Sequence, residues 1–206
     1  IGAPGVDFPG AGVANPPRAD AGAVFVLLGS SDLSEQTIDL AAANTAQVII
    51  YGARSGDHFG TAIAIGNVGG LRSVPLREQA IKDVLIGAPD NKGPSPVTAP
   101  RNGGGAAYLM FGGTGLNPPS GLTKVIDLGI TLANVIIYGK SASTLGSSVA
   151  IGDVNRDQIG DLLIGAPLAD RPSRTAPLVP VAATTGAAFA FFGGSILTSG
   201  VATSKT

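Results

Sequence analysis

The 206-residue chain has no cysteine and no tryptophan, and charged residues make up only 13% of it. Without cysteine it can form neither a disulfide framework nor a thiolate site, and its compartment cannot be inferred from cysteine content. The basic residues are scattered and the formal net charge is −1, so no basic stripe is present to bind nucleic acid. No apolar run approaches the roughly 18 residues of a membrane-spanning helix. We therefore expect neither a nucleic-acid partner nor a membrane span in this segment.

Residues that favour helices are also scarce. The acidic residues are 12 aspartates against two glutamates, Glu35 and Glu78, and the chain has only five lysines beside 31 glycines and 15 prolines. Asp, Gly and Pro stabilise tight turns, whereas Glu, Lys, Gln and Arg cover helix surfaces. Hydrophobic residues make up 44% of the chain, enough for a buried core. The composition therefore predicts an all-β protein with almost no helix.

Several sequence phrases recur in the same order along the chain. Ile-Gly-Ala-Pro begins at Ile1, Ile86 and Ile164, and each copy is followed by an apolar run bounded by glycines. The phrases predict four short strands in each unit, which is typical of a propeller blade. The repeated segments are the apolar runs 22–29, 105–112 and 186–193, the Ile-Asp-Leu phrases 38–40 and 126–128, the Val-Ile-Ile-Tyr-Gly phrases 48–52 and 135–139, and the hairpin strands 59–68 and 145–154.

The phrases divide the chain into a partial first repeat at 1–52, a second repeat at 53–139 and a third at 140–206. We expect an incomplete propeller of about two and a half four-stranded blades, because complete propellers have at least about four. Polar, proline-rich insertions lengthen the repeats. We interpret them as surface decoration in preference to a binding face, because they lack a charge cluster. The insertions are 7–21, 69–80, 90–102 and 168–185.

The best candidate for a functional site is the segment from Asp153 to Asp161, which lies between two predicted strands. A calcium ion takes six to eight oxygen ligands, and oxygens at alternate positions of a tight loop can surround one. The alternative interpretation is a hairpin whose Asp and Asn side chains bond only their own backbone. We favour a calcium site, because three aspartates within nine residues repel one another unless a cation is bound. Its ligands would be Asp153, Asn155, Asp157, the carbonyl of Ile159 and Asp161.

These phrases resemble FG-GAP repeats, the blades of the integrin alpha-subunit type of β-propeller. The resemblance rests on Phe59-Gly60, on residues 146–155 and on residues 161–167, and it covers nearly the whole chain. It implies a four-stranded blade, a calcium ion in the hairpin loop between the first two strands, and an extracellular or cell-surface setting. The family often has glycine directly after the third ligand, where this chain has Gln158. If that position requires a positive φ, glutamine strains the loop by roughly 1 kcal/mol.

No other motif in the sequence indicates a catalytic or metal-binding site. The corresponding loop of the second repeat, Asn67 to Asp83, offers only those two residues at ligand positions, so we expect it to be empty. The single histidine, His58, has no second histidine or Gly-x-Ser-x-Gly motif to complete a zinc site or a catalytic triad. We predict a surface turn for His58. The sequence thus predicts no catalytic residues and no organic cofactor.

The function expected from these observations is that of a non-enzymatic, calcium-binding β-propeller module at the cell surface or outside the cell, serving adhesion or structural assembly, as in a filament or sheath. The alternatives are an accessory domain of a secreted hydrolase and a carbohydrate-binding module that uses Tyr51 and Tyr138. The chain begins at the second strand of a unit, so we expect its open sheet edges to pair with other repeats of a longer chain or with neighbouring subunits. The loops would present contacts to any protein or glycan ligand.

Overall fold

The computed structural model describes residues 1–29, 37–40, 45–68, 82–94, 102–170 and 184–194. The insertion at 69–80 and the end of the chain from residue 195 onward lie outside them. Within the described residues the chain is all-β, as predicted, with a single 3-10 turn at Gly113–Gly115 and no helix long and apolar enough to cross a membrane. The strands are β1 (Gly2–Ala3), β2 (Ala23–Val26), β3 (Val48–Tyr51), β4 (Ala62–Gly66), β5 (Asp83–Ala88), β6 (Ala106–Met110), β7 (Lys124–Asp127), β8 (Val135–Tyr138), β9 (Ser148–Gly152), β10 (Asp161–Ala166) and β11 (Ala187–Phe191).

These strands form three sheets, none of which closes on itself. The first sheet has the order β1-β2-β3-β7, the second β4-β5-β6-β8 and the third β9-β10-β11. All neighbouring strands are antiparallel except β3 and β7, which pair in parallel. Small sheets of short, mostly antiparallel strands are the architecture of propeller blades. The predicted fold, an incomplete β-propeller, is confirmed.

The two central strands of the second sheet, β5 and β6, are buried on both faces. Ile86 of β5 packs into a core shared with the first sheet, around Ile50 and Phe59. The preceding residue, Leu85, packs into a second core shared with the third sheet, around Leu162. Successive side chains of a strand point to opposite faces, so a strand between two cores is apolar at every position. This explains why the central phrases are continuous apolar runs with no alternation.

The glycines of the first two Ile-Gly-Ala-Pro phrases lie where one sheet touches the next. A Cβ atom on Gly2 would lie 2.1 Å from the carbonyl oxygen of Gly60, and one on Gly87 would lie 1.9 Å from that of Gly146. No side chain fits at such distances, so only glycine permits this approach of two backbones. Gly60 and Gly146 occupy the same place in their repeats, after Phe59 and Leu145. The repeated glycines therefore maintain the spacing between blades.

Strand β7 belongs to a different sheet from the one that the sequence predicted. It lies within the predicted second repeat, yet it pairs with β3 of the first sheet, with Ile50 opposite Ile126 and Tyr51 opposite Asp127. The chain then continues to β8, at the outer edge of the second sheet. A segment that the sequence assigned to the second repeat thus pairs with the edge strand of the first sheet. The division at residues 52/53 and 139/140 stays a prediction.

The insertion 7–21 holds β7 in place. Its Asn15 and Arg18 are buried, and both side chains donate hydrogen bonds to the carboxylate of Asp127. The Arg18 guanidinium also lies 3.9 Å from the centre of the Phe8 ring. Burial would raise the pKa of Asp127, but hydrogen bonds from Asn15, Gly129 and Arg18 outweigh it and hold that pKa below its ordinary value. The interpretation of this insertion as surface decoration is wrong, because its side chains form a buried polar contact with Asp127 of β7.

Candidate cation-binding loop

The candidate site is the hairpin loop between β9 and β10. Gly152 and Asp161 are opposite each other at the end of the ladder, so residues 153–160 form the turn. Side chains 153–158 are exposed, whereas Asp161 is fully buried. The alternating apolar pattern ends at Gly152, and Asp and Asn residues favour the turn that follows. The loop therefore has the position, between the first two strands of a blade, that the family resemblance implied.

The side-chain oxygens of the loop accept hydrogen bonds from its own backbone. Asp153 accepts the N–H groups of Asp157 and Gln158 at 3.1 and 2.9 Å. Asn155 Oδ1 accepts the N–H of Asp157 at 3.0 Å, and Asp157 Oδ1 accepts that of Ile159 at 2.8 Å. These bonds fix the oxygens in a tight turn, and each oxygen keeps a second lone pair for another partner. Both the calcium interpretation and the self-bonded hairpin are compatible with them.

Asp161 is placed differently from the other predicted ligands. Its two carboxylate oxygens accept the backbone N–H groups of Val154 and Gly193, at 2.8 and 2.9 Å. The hydrogen bond from Gly193 is the main reason that the pKa of Asp161 lies below its ordinary value. Asp83 has the same arrangement in the second sheet, where it accepts the N–H groups of Val68 and Gly112. An aspartate at this position therefore ties the hairpin loop to the end of the third strand in both repeats.

The chemistry of the loop fits a hard divalent cation, but its carboxylates are not gathered around one point. Asp153, Asn155, Asp157 and the Ile159 carbonyl provide only oxygen donors, as calcium requires. In the described part of the chain, no group of three or more His, Cys, Asp or Glu side chains has the geometry to hold a metal ion. Binding would therefore require the exposed side chains of the loop to turn inward.

Gln158 is in the left-handed region, with a φ of 70°. This confirms that the position where the family often has glycine has a positive φ here. Gly160 is required for another reason, since a Cβ atom there would lie 2.4 Å from the carbonyl oxygen of Asn67. Its N–H also donates to that oxygen at 2.7 Å. Gly160 thus brings the loop against the end of β4 in the second sheet.

Replacing Gln158 with glycine is expected to raise the free energy of unfolding by about 0.5–1 kcal/mol. A residue with a side chain destabilises the folded state by about 1–2 kcal/mol when it is in the left-handed region, and glycine removes this cost. The greater conformational freedom of glycine in the unfolded chain offsets about 0.4–1 kcal/mol of that stabilisation. Denaturant unfolding measures the change. Gln158→Ala is the control, because alanine keeps the strain. Equal stabilities of the two variants would contradict this explanation.

Other residues considered from the sequence do not join the loop. His58 is in an exposed turn with a φ of 50°, as predicted, and its Nδ1 lies 2.7 Å from Asp90 Oδ2. Tyr51 contacts Phe8 edge to face at 5.2 Å, and Tyr138 packs against the first core. The two tyrosines lie in different sheets and are partly buried, and carbohydrate binding through them stays a prediction. Most of the Asn67 to Asp83 loop lies outside the described residues, so its predicted emptiness also stays a prediction.

A buried polar network near the first core was missed by the sequence analysis. Asn91 donates to Asp57 Oδ2 at 2.7 Å, and its amide nitrogen lies 2.9 Å from the Tyr108 hydroxyl oxygen. Asp57 is 2% exposed, and burial raises its pKa to about 6, although Asn91, Arg54 and Lys92 act to lower it. The network lies beside a 390 Å³ cavity that Arg54 and Tyr138 also line. The Gly56-Asp57-His58 turn gives no local sign of this burial.

The fold and the position of the loop define β-propeller-type repeats, and comparison with known proteins agrees with this class. Residues 145–189 match the family model described as FG-GAP repeat, which confirms the resemblance seen in the motifs. This segment includes β9, β10, the candidate loop and the start of β11. The repeat with the aspartate-rich loop is therefore the one that the family model recognises.

Two kinds of animal protein are similar to a larger part of the chain. Phosphatidylinositol-glycan-specific phospholipase D of Bos taurus is 29% identical over 169 residues, which is 82% of this chain and 16% of that protein. Integrin alpha-3 of Cricetulus griseus is 29% identical over 159 residues, which is 75% of this chain and 12% of that protein. The chain thus spans only a small part of the length of either relative.

Proposed function

We propose that this chain is a non-enzymatic module of an extracellular or cell-surface protein, in which stacked blades provide a rigid support for adhesion or structural assembly. The carrying observation is the FG-GAP match at 145–189, which includes a hairpin loop rich in oxygen donors. The likeness to integrin alpha-3, named as an integrin, supports the surface setting. In the proposal, the loops display contacts and the buried sheets fix their positions.

The second part of the proposal is that the Asp153 to Asp161 loop binds calcium. The cation would compensate the repulsion between the carboxylates of Asp153 and Asp157 and would link the two ends of the hairpin turn. Asn155 and the Ile159 carbonyl would supply neutral oxygens, so that the site is not overloaded with negative charge. Asp161 would serve mainly as the anchor of the loop, since its oxygens accept hydrogen bonds from Val154 and Gly193.

Calcium is expected to raise the midpoint of thermal unfolding by a few degrees. A ligand that binds only the folded state stabilises it by RT ln(1 + [L]/Kd), so a Kd of about 0.1 mM in about 2 mM calcium gives about 1.8 kcal/mol. The measurement is a pair of melting curves, in calcium and in chelator. Asp157→Ala should abolish the difference, whereas Asp90→Ala, which removes an exposed aspartate outside the loop, should retain it. Identical wild-type curves in calcium and chelator would refute the calcium site.

A second candidate function is supported by the phospholipase D relative, which aligns with 82% of this chain. The module would then be an accessory domain of a secreted hydrolase whose active site lies elsewhere in the polypeptide. The two candidates differ in what accompanies the repeats in the full-length gene. A catalytic domain beside them supports the hydrolase, whereas further repeats with a secretion or cell-wall signal support the surface role.

A further inference from the structure

The 390 Å³ cavity beside the buried polar network is lined by residues from the first two sheets and their connections. Its apolar wall comes mainly from the turn after β7 and from strand β8. The side chains of Arg54 and Tyr108 also line it. A cavity of a few hundred cubic ångströms with apolar walls and a small number of polar groups is typical of a small-molecule site. The apolar lining residues used below are Leu128, Leu132 and Ile136.

The hydrogen bonds of Asn91 determine the role of the Tyr108 hydroxyl. Asn91 Oδ1 accepts the N–H of Gly93 at 2.8 Å, so the amide nitrogen lies on the other side. Its two hydrogens are donated to Asp57 and to the Tyr108 hydroxyl oxygen. That hydroxyl is therefore an acceptor, and in the part of the chain that the structure describes no hydrogen bond uses its own hydrogen. Because Tyr108 is only 2% exposed, this hydrogen requires an acceptor inside the cavity.

Arg54 places a positive charge near the same hydroxyl. Burial raises the pKa of Tyr108, and the charge of Arg54 acts in the opposite direction. Arg54 Nη1 donates to the Gly93 carbonyl at 2.5 Å, which uses one of the five N–H groups of the guanidinium. No carboxylate of the described residues lies within 4.0 Å of Arg54. A guanidinium and a hydroxyl that both donate into one cavity favour a ligand with two acceptor oxygens, and the guanidinium fork matches a carboxylate.

The other two repeats show that a blade does not require these polar groups. In each repeat the residue at the position of Asn91 accepts, through its carbonyl, the N–H of the glycine before the next strand, at 2.9–3.0 Å. The side chains at the positions of Asn91 and Tyr108 are nevertheless apolar in the first and third repeats. Buried polar groups lower stability unless all their hydrogen bonds are made, so the second repeat retains them for a use other than folding. The corresponding residues are Val6 and Ala169 for Asn91, and Phe25 and Phe189 for Tyr108.

We propose that this cavity binds a small organic monocarboxylate with an apolar or aromatic body. Its carboxylate accepts hydrogen bonds from Tyr108 and Arg54, and its body packs against Leu128 and Ile136. The exposed Leu132 lies at the mouth of the cavity. A dianion such as phosphate fits less well, because the carboxylate of Asp57 lies just behind Asn91. The site is separate from the calcium loop, so it goes beyond the proposed function and does not depend on it.

A titration of the whole chain with phenylacetate and with isovalerate, followed by the backbone amide resonances in the presence of chelator, tests the site. At least one of the two carboxylates should produce saturable shifts at Gly93, Gly129 and Ala133, which line the cavity, with a Kd of about 1 mM or tighter. The corresponding neutral amide, phenylacetamide or isovaleramide, should bind about tenfold more weakly or less, and inorganic phosphate should leave these resonances unchanged. No shifts with either carboxylate, or equal affinities for a carboxylate and its amide, would overturn the proposal.

Two variants assign the binding to the proposed donors. Tyr108→Phe introduces the residue that the other repeats have at this position, so it should fold, and it should weaken carboxylate binding about tenfold. Tyr51→Phe is the matched control, because Tyr51 lies outside the cavity, and it should bind like the wild type. Arg54→Gln changes a partly exposed side chain and should reduce carboxylate affinity to that of the neutral amide. Wild-type affinity in folded Tyr108→Phe or in Arg54→Gln would refute the assignment.

Discussion

Replacing Asp127 with alanine is expected to lower the free energy of unfolding by about 3–5 kcal/mol, because it leaves a buried guanidinium without its counter-charge. The Arg18 and Asp127 side chains are only 11% and 7% exposed. Asn15 also loses the oxygen that accepts its amide at 2.5 Å. Since these bonds join the first insertion to β7, the variant should also loosen the pairing of β7 with β3. Denaturant unfolding measures the stability, and amide exchange at residues 124–128 measures the pairing.

The matched control is Asp90→Ala, which breaks the exposed contact with His58. Exposed ion pairs contribute at most about 1 kcal/mol, so the control should change stability little. Because the folded-state pKa of Asp127 is lowered, its contribution is present at neutral pH and is lost as the pH falls into the acid range. Wild type and Asp127→Ala should therefore converge in stability at low pH. Equal losses in Asp127→Ala and Asp90→Ala at pH 7 would contradict the importance of the buried pair.

The wild-type protein is expected to lose stability as the pH rises, because Asp57 becomes charged while buried. Replacing Asp57 with serine is expected to abolish this pH-dependent loss. The pKa of Asp57 is raised from 3.8 to about 6, mainly by burial, so the folded state binds this proton more tightly than the unfolded state. Its stabilising effect is complete below the ordinary pKa and is lost as the pH rises through about 6. A shift of about two pKa units corresponds to about 3 kcal/mol. Serine is a suitable substitute, because Ser143 occupies the matching buried position before Leu145 and Gly146.

The measurement is the free energy of unfolding of both proteins between pH 4 and pH 8. The groups around Asp57 are Arg54, Asn91, Lys92 and Tyr108. The variant-minus-wild-type difference should therefore grow with pH and reach a plateau above about 7. Asp90→Ala again serves as the control, since its carboxylate is half exposed. A difference that does not change with pH would show that Asp57 titrates as an ordinary aspartate.

Much of the fold could be predicted because its signals are local. The runs around Ile86 and Ile164 are apolar, glycine-bounded and repeated, and each forms a central strand. The repeat alone predicts that the glycine of the first two Ile-Gly-Ala-Pro phrases is structurally important. Only the structure gives the reason, which is the close approach of its backbone to Gly60 and Gly146. The position of the candidate loop could be predicted in the same way, because an Asp-rich turn between two strands is a local pattern.

The remaining features depend on contacts between distant residues. Nothing near Ile126 indicates that it pairs with Ile50 in another repeat, since a strand sequence does not specify its neighbour. Arg18 lies in a proline-rich insertion that looks like a surface loop, and its burial follows from Asp127, which lies 109 residues away. The role of Asp161 was also ambiguous, because an anchoring aspartate and a metal ligand have the same sequence. Asp83, in the loop predicted to be empty, reveals the anchoring role.

The most direct test of the central claim is a calcium titration of the whole chain followed by the backbone amide resonances of the two hairpin loops. The account predicts saturable shifts at residues 153–160, with one calcium bound per chain at sub-millimolar to millimolar affinity. The amide resonances of Asn67 and Val68, at the start of the other loop, should change only slightly, through the hydrogen bonds that the carbonyl oxygens of these two residues accept from Gly160 and Gly194. Unchanged resonances at 153–160 in millimolar calcium would contradict the claim and leave a self-bonded hairpin.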